Sequence, residues 1–238
     1  MSRDHIAQME RSWTANAEAW TRAVRQGQVE SRRLATDTAV VDAILERTPR
    51  AVLDIGCGEG WLARALSEHG VQVTGADASA PLIKAARARG GGAFLVRSYV
   101  EIAADPEAFG TDYDAVVFNF ALLDEDPAPV LRAVGHVLAP EGVLHIQTVH
   151  PWTARGQGPY RDGWRVETFE GFGGTFPEPM PWYYRTLGSW ISLLHRSGYR
   201  VLDLREPVHP NTGEPLSLLF TAARAAEPAV AADTGPGT

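Results

Sequence analysis

Residues 51–60 read AVLDIGCGEG, and this stretch organises the rest of the chain. An apolar run carries a carboxylate, Asp54, and glycines follow at alternate positions, Gly56, Gly58 and Gly60. An apolar run that ends in a glycine-rich turn and continues as an amphipathic segment predicts a strand, a tight loop and a helix. Glycine has no Cβ, so the loop backbone can approach a ligand closely, and the free N–H groups of the next helix point to the same place. The stretch therefore predicts a nucleotide-type binding loop.

Two ligands compete for this loop, and a glycine turn without any ligand is the remaining alternative. The dinucleotide fingerprint G-x-G-x-x-G/A needs a small last residue, but counting from Gly56 that position holds Trp61. The form DIGCGEG, with an acid before alternating glycines, resembles motif I of the class I S-adenosylmethionine-dependent methyltransferases. This resemblance implies S-adenosyl-L-methionine as cofactor and S-adenosyl-L-homocysteine as product. It assigns the first cofactor contacts to Asp54, Gly56, Cys57 and Gly58.

Length and composition limit the possible classes of protein. The chain has 238 residues, 45% of them hydrophobic, which is enough for one α/β domain with a full core. Its single cysteine excludes an internal disulfide, and its first residues lack the apolar core of a signal peptide. The formal charge of −7 disfavours a nucleic-acid partner, and no apolar run approaches the length of a membrane span. We therefore expect a cytoplasmic monomer or homodimer whose partner is a small molecule.

Strand and helix patterns alternate from residue 51 to residue 149. Apolar runs end at Asp77, near Arg97 and at Asn119, and helical patterns lie between them. This alternation predicts a doubly wound α/β fold, with helices on both faces of a mostly parallel sheet and a ligand at the carboxyl ends of the strands. The residues predict two further strands, in 199–207 and 215–224, and the family resemblance implies that they form an antiparallel pair at one edge of the sheet. The prediction is thus a Rossmann-like sheet of seven strands with an antiparallel last strand.

The ends of the later strands supply the other predicted cofactor contacts. Asp77 is placed to accept hydrogen bonds from a ribose diol, a role that NAD enzymes share. Many class I methyltransferases have an aspartate after the third strand, and this chain has Ser98 there. The fourth strand lacks the two prolines of the amino-methylating DNA enzymes. The remaining contacts that the resemblance implies are Ala78, Tyr99, Asn119 and Phe120.

The composition changes on both sides of this core. An aromatic stripe follows one face of a predicted N-terminal helix, and the resemblance suggests a lid, although simple packing explains the stripe as well. In the next helix, Arg32 or Arg33 is a possible partner of the methionine carboxylate. The predicted parts are a helical lid (1–48), the cofactor-binding core (49–149), an aromatic-rich acceptor cover (150–188), a helix with a strand pair (189–225) and a disordered tail (226–238).

The aromatic-rich segment predicts an apolar pocket for the acceptor. Its candidate contacts are Trp152, Tyr160, Tyr183 and Tyr184, together with His209 from the loop between the last two strands. His150 ends the fifth strand, so it is the candidate general base, and a structural role in the His-Pro-Trp turn is the alternative. The histidines lack metal-ligand spacing, so no metal is predicted.

The sequence therefore predicts methyl transfer from S-adenosylmethionine to a small molecule, with oxygen as the expected acceptor atom. Transfer to nitrogen or carbon remains open, as does an S-adenosylmethionine-binding protein that does not methylate. An NAD(P)-dependent oxidoreductase is disfavoured by Trp61.

Overall fold

The glycine-rich stretch lies at the carboxyl end of the first strand of a seven-stranded sheet. The computed structural model describes residues 2–225. The strands of this sheet are β1 (Ala51–Ile55), β2 (Gln72–Asp77), β3 (Ala93–Val96), β4 (Tyr113–Asn119), β5 (Leu138–Val149), β8 (Tyr199–Arg205) and β9 (Ser217–Arg224). Their order is β3-β2-β1-β4-β5-β9-β8, and β9 is antiparallel to both of its neighbours while the other pairs are parallel. The predicted fold class is confirmed.

Helices cover both faces of the sheet. They are α1 (Ser2–Arg25), a π-helical turn (Arg32–Thr36), α2 (Asp37–Leu45), α3 (Trp61–Ser67), α4 (Ala80–Arg89), α5 (Tyr99–Ala104), a 3₁₀ turn (Pro106–Phe109), α6 (Ala128–Gly135), α7 (Pro151–Ala154) and α8 (Leu187–Arg196). The break between the first two helical segments follows Gly27, whose φ of 63° suits glycine. The predicted helical N-terminal region is therefore present in two pieces.

The pleat of the central strands sends alternate side chains to the two faces. On β4, Val116 and Phe118 join a core cluster beneath α5, α6 and α8, while Ala115 and Val117 join a cluster beneath α2, α3 and α4. Both faces of the strand are thus buried, which explains its continuous apolar run. The strand order reverses between β1 and β4, so the cleft at this switch point opens beside the glycine loop.

The aromatic-rich segment is not the single long loop that its sequence suggests. It contains a two-stranded antiparallel ribbon, β6 (Gly163–Glu167) and β7 (Met180–Tyr184), and the following helix begins at Leu187. Asn16 of α1 binds the backbone just before β7. Its side-chain amide donates to the carbonyl of Glu178 (2.6 Å), and its side-chain oxygen accepts from the N–H of Glu178 (3.2 Å). The lid and cover roles and the part boundaries remain predictions, and the predicted disordered tail lies outside the described residues.

Candidate active site

One cavity of about 560 Å³ lies at the carboxyl ends of the central strands, beneath α1 and β7. Nine of the ten predicted cofactor contacts line this cavity; these are Gly56, Cys57, Gly58, Asp77, Ala78, Ser98, Tyr99, Asn119 and Phe120. The tenth, Asp54, is buried below the loop. The switch point of the sheet therefore brings these residues together around a single enclosed space.

Two glycines of the loop are required for different reasons. Gly56 has φ of 77°, and a Cβ at this position would collide with the Cβ of Ala121, so glycine lets the loop pack against the segment after β4. Gly58 has φ of 56°, and a Cβ there would meet only Trp20 Nε1, at 3.8 Å. The missing side chain of Gly58 thus leaves room for a ligand between the loop and α1.

Asp77 ties the loop to the end of β2. Its Oδ2 accepts a hydrogen bond from the N–H of Gly58 (2.9 Å), and its Oδ1 accepts from the N–H of Ser79 (2.8 Å). Burial raises the pKa of Asp77, and the two backbone N–H groups oppose that shift. Each oxygen keeps a second lone pair, which is the acceptor that a ribose hydroxyl requires.

Asp54 is a buried carboxylate without a partner. Its residue surface is 2% exposed, and no hydrogen bond reaches its side chain within residues 2–225. Burial, together with the charge of Asp77, raises the pKa of Asp54 to about 7. A cationic ligand group near the loop would relieve this cost.

Comparison with known proteins agrees with this geometry. A family described as a methyltransferase domain matches residues 52–142. An uncharacterized methyltransferase of Mycobacterium bovis is 34% identical over 111 residues, which are 46% of this chain and 56% of that protein. A ubiquinone biosynthesis O-methyltransferase of Serratia proteamaculans is 33% identical over 105 residues, 42% and 43% of the two chains. The chain spans about half the length of these curated relatives.

A solved structure extends the likeness to the whole fold. The 1,6-didemethyltoxoflavin-N1-methyltransferase of Burkholderia thailandensis superposes with a TM-score of 0.65 at 20% identity, over 95% of this chain and 91% of that one. Residues 52–142 thus match a methyltransferase domain family, and the chain has the fold of solved S-adenosylmethionine-dependent methyltransferases. The predicted family and its cofactor are thereby confirmed.

Arg32 lies in the cavity wall beside the glycine loop. It is 8% exposed and lines the cavity, and its Nε donates to Asp37 Oδ1 (2.9 Å). Its guanidinium carbon lies 4.4 Å from the ring centre of Trp61. Arg33 is exposed and pairs with Glu30 at 4.0 Å, so only Arg32 of the two is available. Trp61, the residue that argues against a dinucleotide, therefore supports this arginine.

Ser98 and Tyr99 line the cavity but use their hydroxyl groups within the protein. Ser98 begins α5 in a capping box, in which its Oγ donates to Glu101 Oε2 (2.8 Å). The hydroxyl of Tyr99 donates to the carbonyl of Ala121 (2.8 Å), and burial raises the pKa of Tyr99. Ser98 therefore caps α5 as well as lining the cavity, and the cofactor contact predicted for it stays a prediction.

The segment after β4 is held in a strained conformation. Phe120 has φ of 53°, which a residue with a side chain rarely adopts, and its N–H donates to the carbonyl of Gln147 (2.7 Å). The amide of Gln147 also donates to Asn119 Oδ1 (2.7 Å). Strain of this kind is common at ligand sites, where surrounding bonds maintain it. The polar contacts fix Asn119 and Phe120 at the cavity wall.

The geometry does not support His150 as a general base. His150 does not line the cavity: its Nδ1 accepts from the N–H of Trp152 (3.3 Å) and its Nε2 lies 2.8 Å from Glu206 Oε1. Since Nδ1 accepts, the proton lies on Nε2 and is donated to Glu206. The preceding residues Thr148 and Val149 line the cavity, but the chain then turns toward the outer edge of the sheet. The structural alternative for His150 fits these contacts.

The predicted acceptor contacts also lie outside the cavity. Trp152 and Tyr160 are on the surface, 59% and 44% exposed, and His209 Nδ1 accepts from the N–H groups of its own turn. The hydroxyl of Tyr184 donates to the carbonyl of Pro151 (2.7 Å), and Tyr183 packs on Trp164 with ring centres 5.5 Å apart. None of these five side chains lines the cavity, and their assignment as acceptor contacts stays a prediction that its lining does not support.

Sequence reasoning missed the residues that replace them. Aromatic and apolar side chains close the cavity opposite the glycine loop; these are Trp13, Trp20, Phe169, Phe172, Met180 and Trp182. Glu10, Asp124 and Glu167 are among the carboxylates that line the same cavity. The alternation in β7, where Met180 and Trp182 line the cavity and Tyr183 does not, is a signal that the sequence contains.

The residues that the structure describes contain no group of three or more side chains suited to a metal ion. Within the same residues, no helix has both the length and the apolar character that crossing a membrane demands.

Proposed function

We propose that this protein transfers the methyl group of S-adenosylmethionine to a small molecule held beneath α1 and β7. The observation that carries the proposal is that a single cavity joins the glycine loop and Asp77 to an aromatic pocket. Its volume of about 560 Å³ lies within the range of small-molecule sites. The cofactor and the acceptor would then share one space from which water is excluded.

The residues of the loop side suit each part of the cofactor. Asp77 would accept from the ribose diol, Arg32 would pair with the methionine carboxylate, and Asp54 beneath the loop would attract the methionine ammonium through its charge. Leu82 and Val96 also line the cavity, and they offer apolar surface to the adenine. The bound cofactor supplies a methyl group already attached to a good leaving group. The protein therefore has to align the acceptor and keep water away.

We propose oxygen as the acceptor atom. The name of the Serratia proteamaculans relative specifies O-methylation, and a carboxylate in the cavity offers a place for a hydroxyl proton. Nitrogen is the alternative, since the Burkholderia thailandensis protein is named an N1-methyltransferase. Methylation at carbon and binding without methylation are further alternatives. An NAD(P)-dependent oxidoreductase does not fit, because Trp61 fills the position that needs a small residue.

Calorimetry with S-adenosylhomocysteine and NAD⁺ tests the cofactor side. S-adenosylhomocysteine should bind and NAD⁺ should not. In Asp77→Ala the affinity should fall by about tenfold or more, since a hydrogen bond to a charged group contributes roughly 1.5–3 kcal/mol. Asp42→Ala removes an exposed carboxylate of α2 and should leave the affinity unchanged. Unchanged affinity in Asp77→Ala would refute the ribose assignment.

A screen with radiolabelled S-adenosylmethionine on phenols, carboxylates and amines tests the transfer itself. Label in a phenol or alcohol would support O-methylation, and label confined to amines would refute it. Tight binding of the cofactor without labelling of any acceptor would favour the non-methylating alternative.

A further inference from the structure

Asp124 follows β4 at the cavity wall, and its carboxyl group has an unused oxygen. Its Oδ1 is buried and has no hydrogen-bond partner. Arg185 does not neutralise it directly, because the Nη2 of Arg185 donates to the backbone carbonyl of Asp124. A buried polar atom without a partner is costly unless a ligand satisfies it. Because Asp124 also lines the cavity, its carboxyl group is a candidate contact for the acceptor.

The backbone around Asp124 is fixed on two sides. The N–H of Phe120 donates to the carbonyl of Gln147 on β5, and the N–H of Tyr183 donates to the carbonyl of Leu123 (2.8 Å) on the other side of the cavity. These bonds hold in place the backbone segment that carries the Asp124 carboxylate. Preorganisation of this kind is what a group that meets a reacting atom needs.

The charges of the cavity wall select against an anion. Glu10, Asp124 and Glu167 face the same space as the rings of Trp13 and Trp182. Arg32 is the one cationic side chain among the described residues that line the cavity, and it is engaged by Asp37 and Trp61 beside the glycine loop. An anionic acceptor would meet carboxylates with no free cation among the side chains that line the cavity, whereas a hydroxyl or an ammonium group would find acceptors and aromatic faces.

We propose that Asp124 binds the hydroxyl or amino group of the methyl acceptor and takes its proton. The acceptor is then a neutral or cationic molecule with an aromatic or apolar body, and not an anion. This inference rests on the proposed methyl transfer. For a hydroxyl acceptor, the oxygen lone pair forms the new bond to the methyl carbon and the carbon–sulfur bond breaks, leaving its electron pair on sulfur. The hydroxyl proton moves to the Asp124 carboxylate and then to solvent.

The protonation state of Asp124 agrees with this role. Burial raises the pKa of Asp124 to about 6, while the charge of Arg185 lowers it and the charges of Glu10 and Asp126 raise it. A carboxyl group with this pKa is mostly ionised at neutral pH and is a stronger base than an ordinary aspartate. Turnover limited by Asp124 should therefore rise with pH through about 6.

A binding experiment tests the inference without turnover. Benzyl alcohol, benzylamine and benzoate have one ring each and differ in charge, and titration of each into the complex with S-adenosylhomocysteine can be followed through tryptophan fluorescence. We expect benzylamine and benzyl alcohol to bind more tightly than benzoate by about tenfold or more. The reason is that benzoate cannot donate a hydrogen bond to the Asp124 carboxylate, and a hydrogen bond to a charged group contributes at least that much to binding. In Asp124→Asn the advantage of benzylamine over benzoate should fall by a similar factor. Preference for benzoate in the wild type, or an unchanged preference in Asp124→Asn, would overturn the inference.

Matched variants separate the charge from its position. Glu125→Gln removes the neighbouring exposed carboxylate, which does not line the cavity, and should leave the preference intact. On a hydroxyl acceptor from the labelling screen, Asp124→Asn should lower turnover by roughly 10²–10⁴-fold, and Asp124→Glu should restore part of it. The affinity for S-adenosylhomocysteine should be the same in all of these variants. A wild type that does not bind S-adenosylhomocysteine would refute the proposed function. An Asp124→Asn variant with normal S-adenosylhomocysteine affinity and full turnover would refute only the role of Asp124.

Discussion

Arg25 in the last turn of α1 lies 2.7 Å, Nε to Oε2, from Glu59 in the glycine loop. The side chain of Glu59 is fully buried, and its other carboxylate oxygen accepts from Arg64 at the start of α3. Arg64 also donates to the backbone carbonyl of Glu59 (2.8 Å). One carboxylate thus joins the helix over the cavity to the loop beneath it, so that the position of α1 and the conformation of the loop are coupled.

Arg25→Ala should weaken both the fold and the retention of the cofactor. The variant removes a partly buried charged hydrogen bond, and Glu59 keeps only Arg64, so the free energy of unfolding should fall by about 1.5–3 kcal/mol. Because α1 closes the cavity, S-adenosylhomocysteine should also dissociate faster. Urea denaturation measures the first effect and stopped-flow fluorescence the second.

Arg22→Ala is the matched control for this prediction. Arg22 lies one turn earlier and pairs with Glu18 at 3.5 Å on the surface, and exposed pairs of this kind contribute little. Its unfolding and dissociation should match those of the wild type. Equal behaviour of Arg25→Ala and Arg22→Ala would show that the contact to Glu59 does not couple the helix to the loop.

Asp54 should give the ligand-free protein a stability that falls as pH rises. Its pKa is about 7 in the folded protein and 3.8 in the unfolded reference, so between these values the folded state holds a proton that the unfolded state has released. Protons bound only by the folded state make stability decrease with rising pH, and the loss is complete above about 7. Asp54→Asn removes this dependence and should stabilise the protein at pH 8 by roughly 1–4 kcal/mol relative to its effect at pH 5.

Thermal melts of the wild type and Asp54→Asn at the two pH values measure this difference. Calorimetry should show in parallel that Asp54→Asn binds S-adenosylhomocysteine more weakly, since the ammonium group loses its anionic neighbour. A wild type whose stability rises from pH 5 to pH 8 relative to Asp54→Asn would contradict the assigned shift.

The cofactor side of the site was predictable because its signals are local. Gly56, Gly58 and Asp77 stand at strand ends, and the topology of a doubly wound sheet brings such ends together without any knowledge of side-chain packing. The reversal of strand order then places Asn119 beside them. The fold followed for the same reason, since alternating strand and helix patterns decide the layers.

The acceptor side was not predictable in the same way. His150 was correctly placed at a strand end, but its direction depends on Glu206, which is 56 residues away in sequence. Asp124 looks like an ordinary loop aspartate until α1 and β7 bury it. Trp182 differs from its neighbours only in the face of β7 that its side chain occupies. The proline and the clustered aromatic residues of this segment made the strand hard to predict from the sequence. Enclosure by distant segments, which no local pattern encodes, decides these roles.

Trp182 and Tyr183 should respond differently to truncation because the pleat sends them to opposite sides of β7. Trp182 lines the cavity, whereas Tyr183 packs on Trp164 and under the guanidinium of Arg185, which lies 4.9 Å from its ring centre. Trp182→Ala should lower acceptor turnover by about 10²-fold through loss of alignment while S-adenosylhomocysteine affinity holds. Tyr183→Ala should instead lower thermal stability with turnover retained. Equal losses of turnover in both variants would contradict the assigned faces.

His150→Ala should destabilise the protein and leave the chemistry intact. The imidazole caps the short helix α7 through the N–H of Trp152 and joins the end of β5 to Glu206, and loss of a cap costs about 0.5–2 kcal/mol. Glu206→Gln removes the charged partner from the other side and should produce a similar but smaller loss in urea denaturation. Turnover per folded molecule should stay within about threefold of the wild type, because neither nitrogen of His150 reaches the cavity and general base assistance would be worth 10²–10⁴-fold. A fall of that larger size in His150→Ala, partly recovered at high pH and absent in Glu206→Gln, would restore His150 as the base and displace Asp124 from that role.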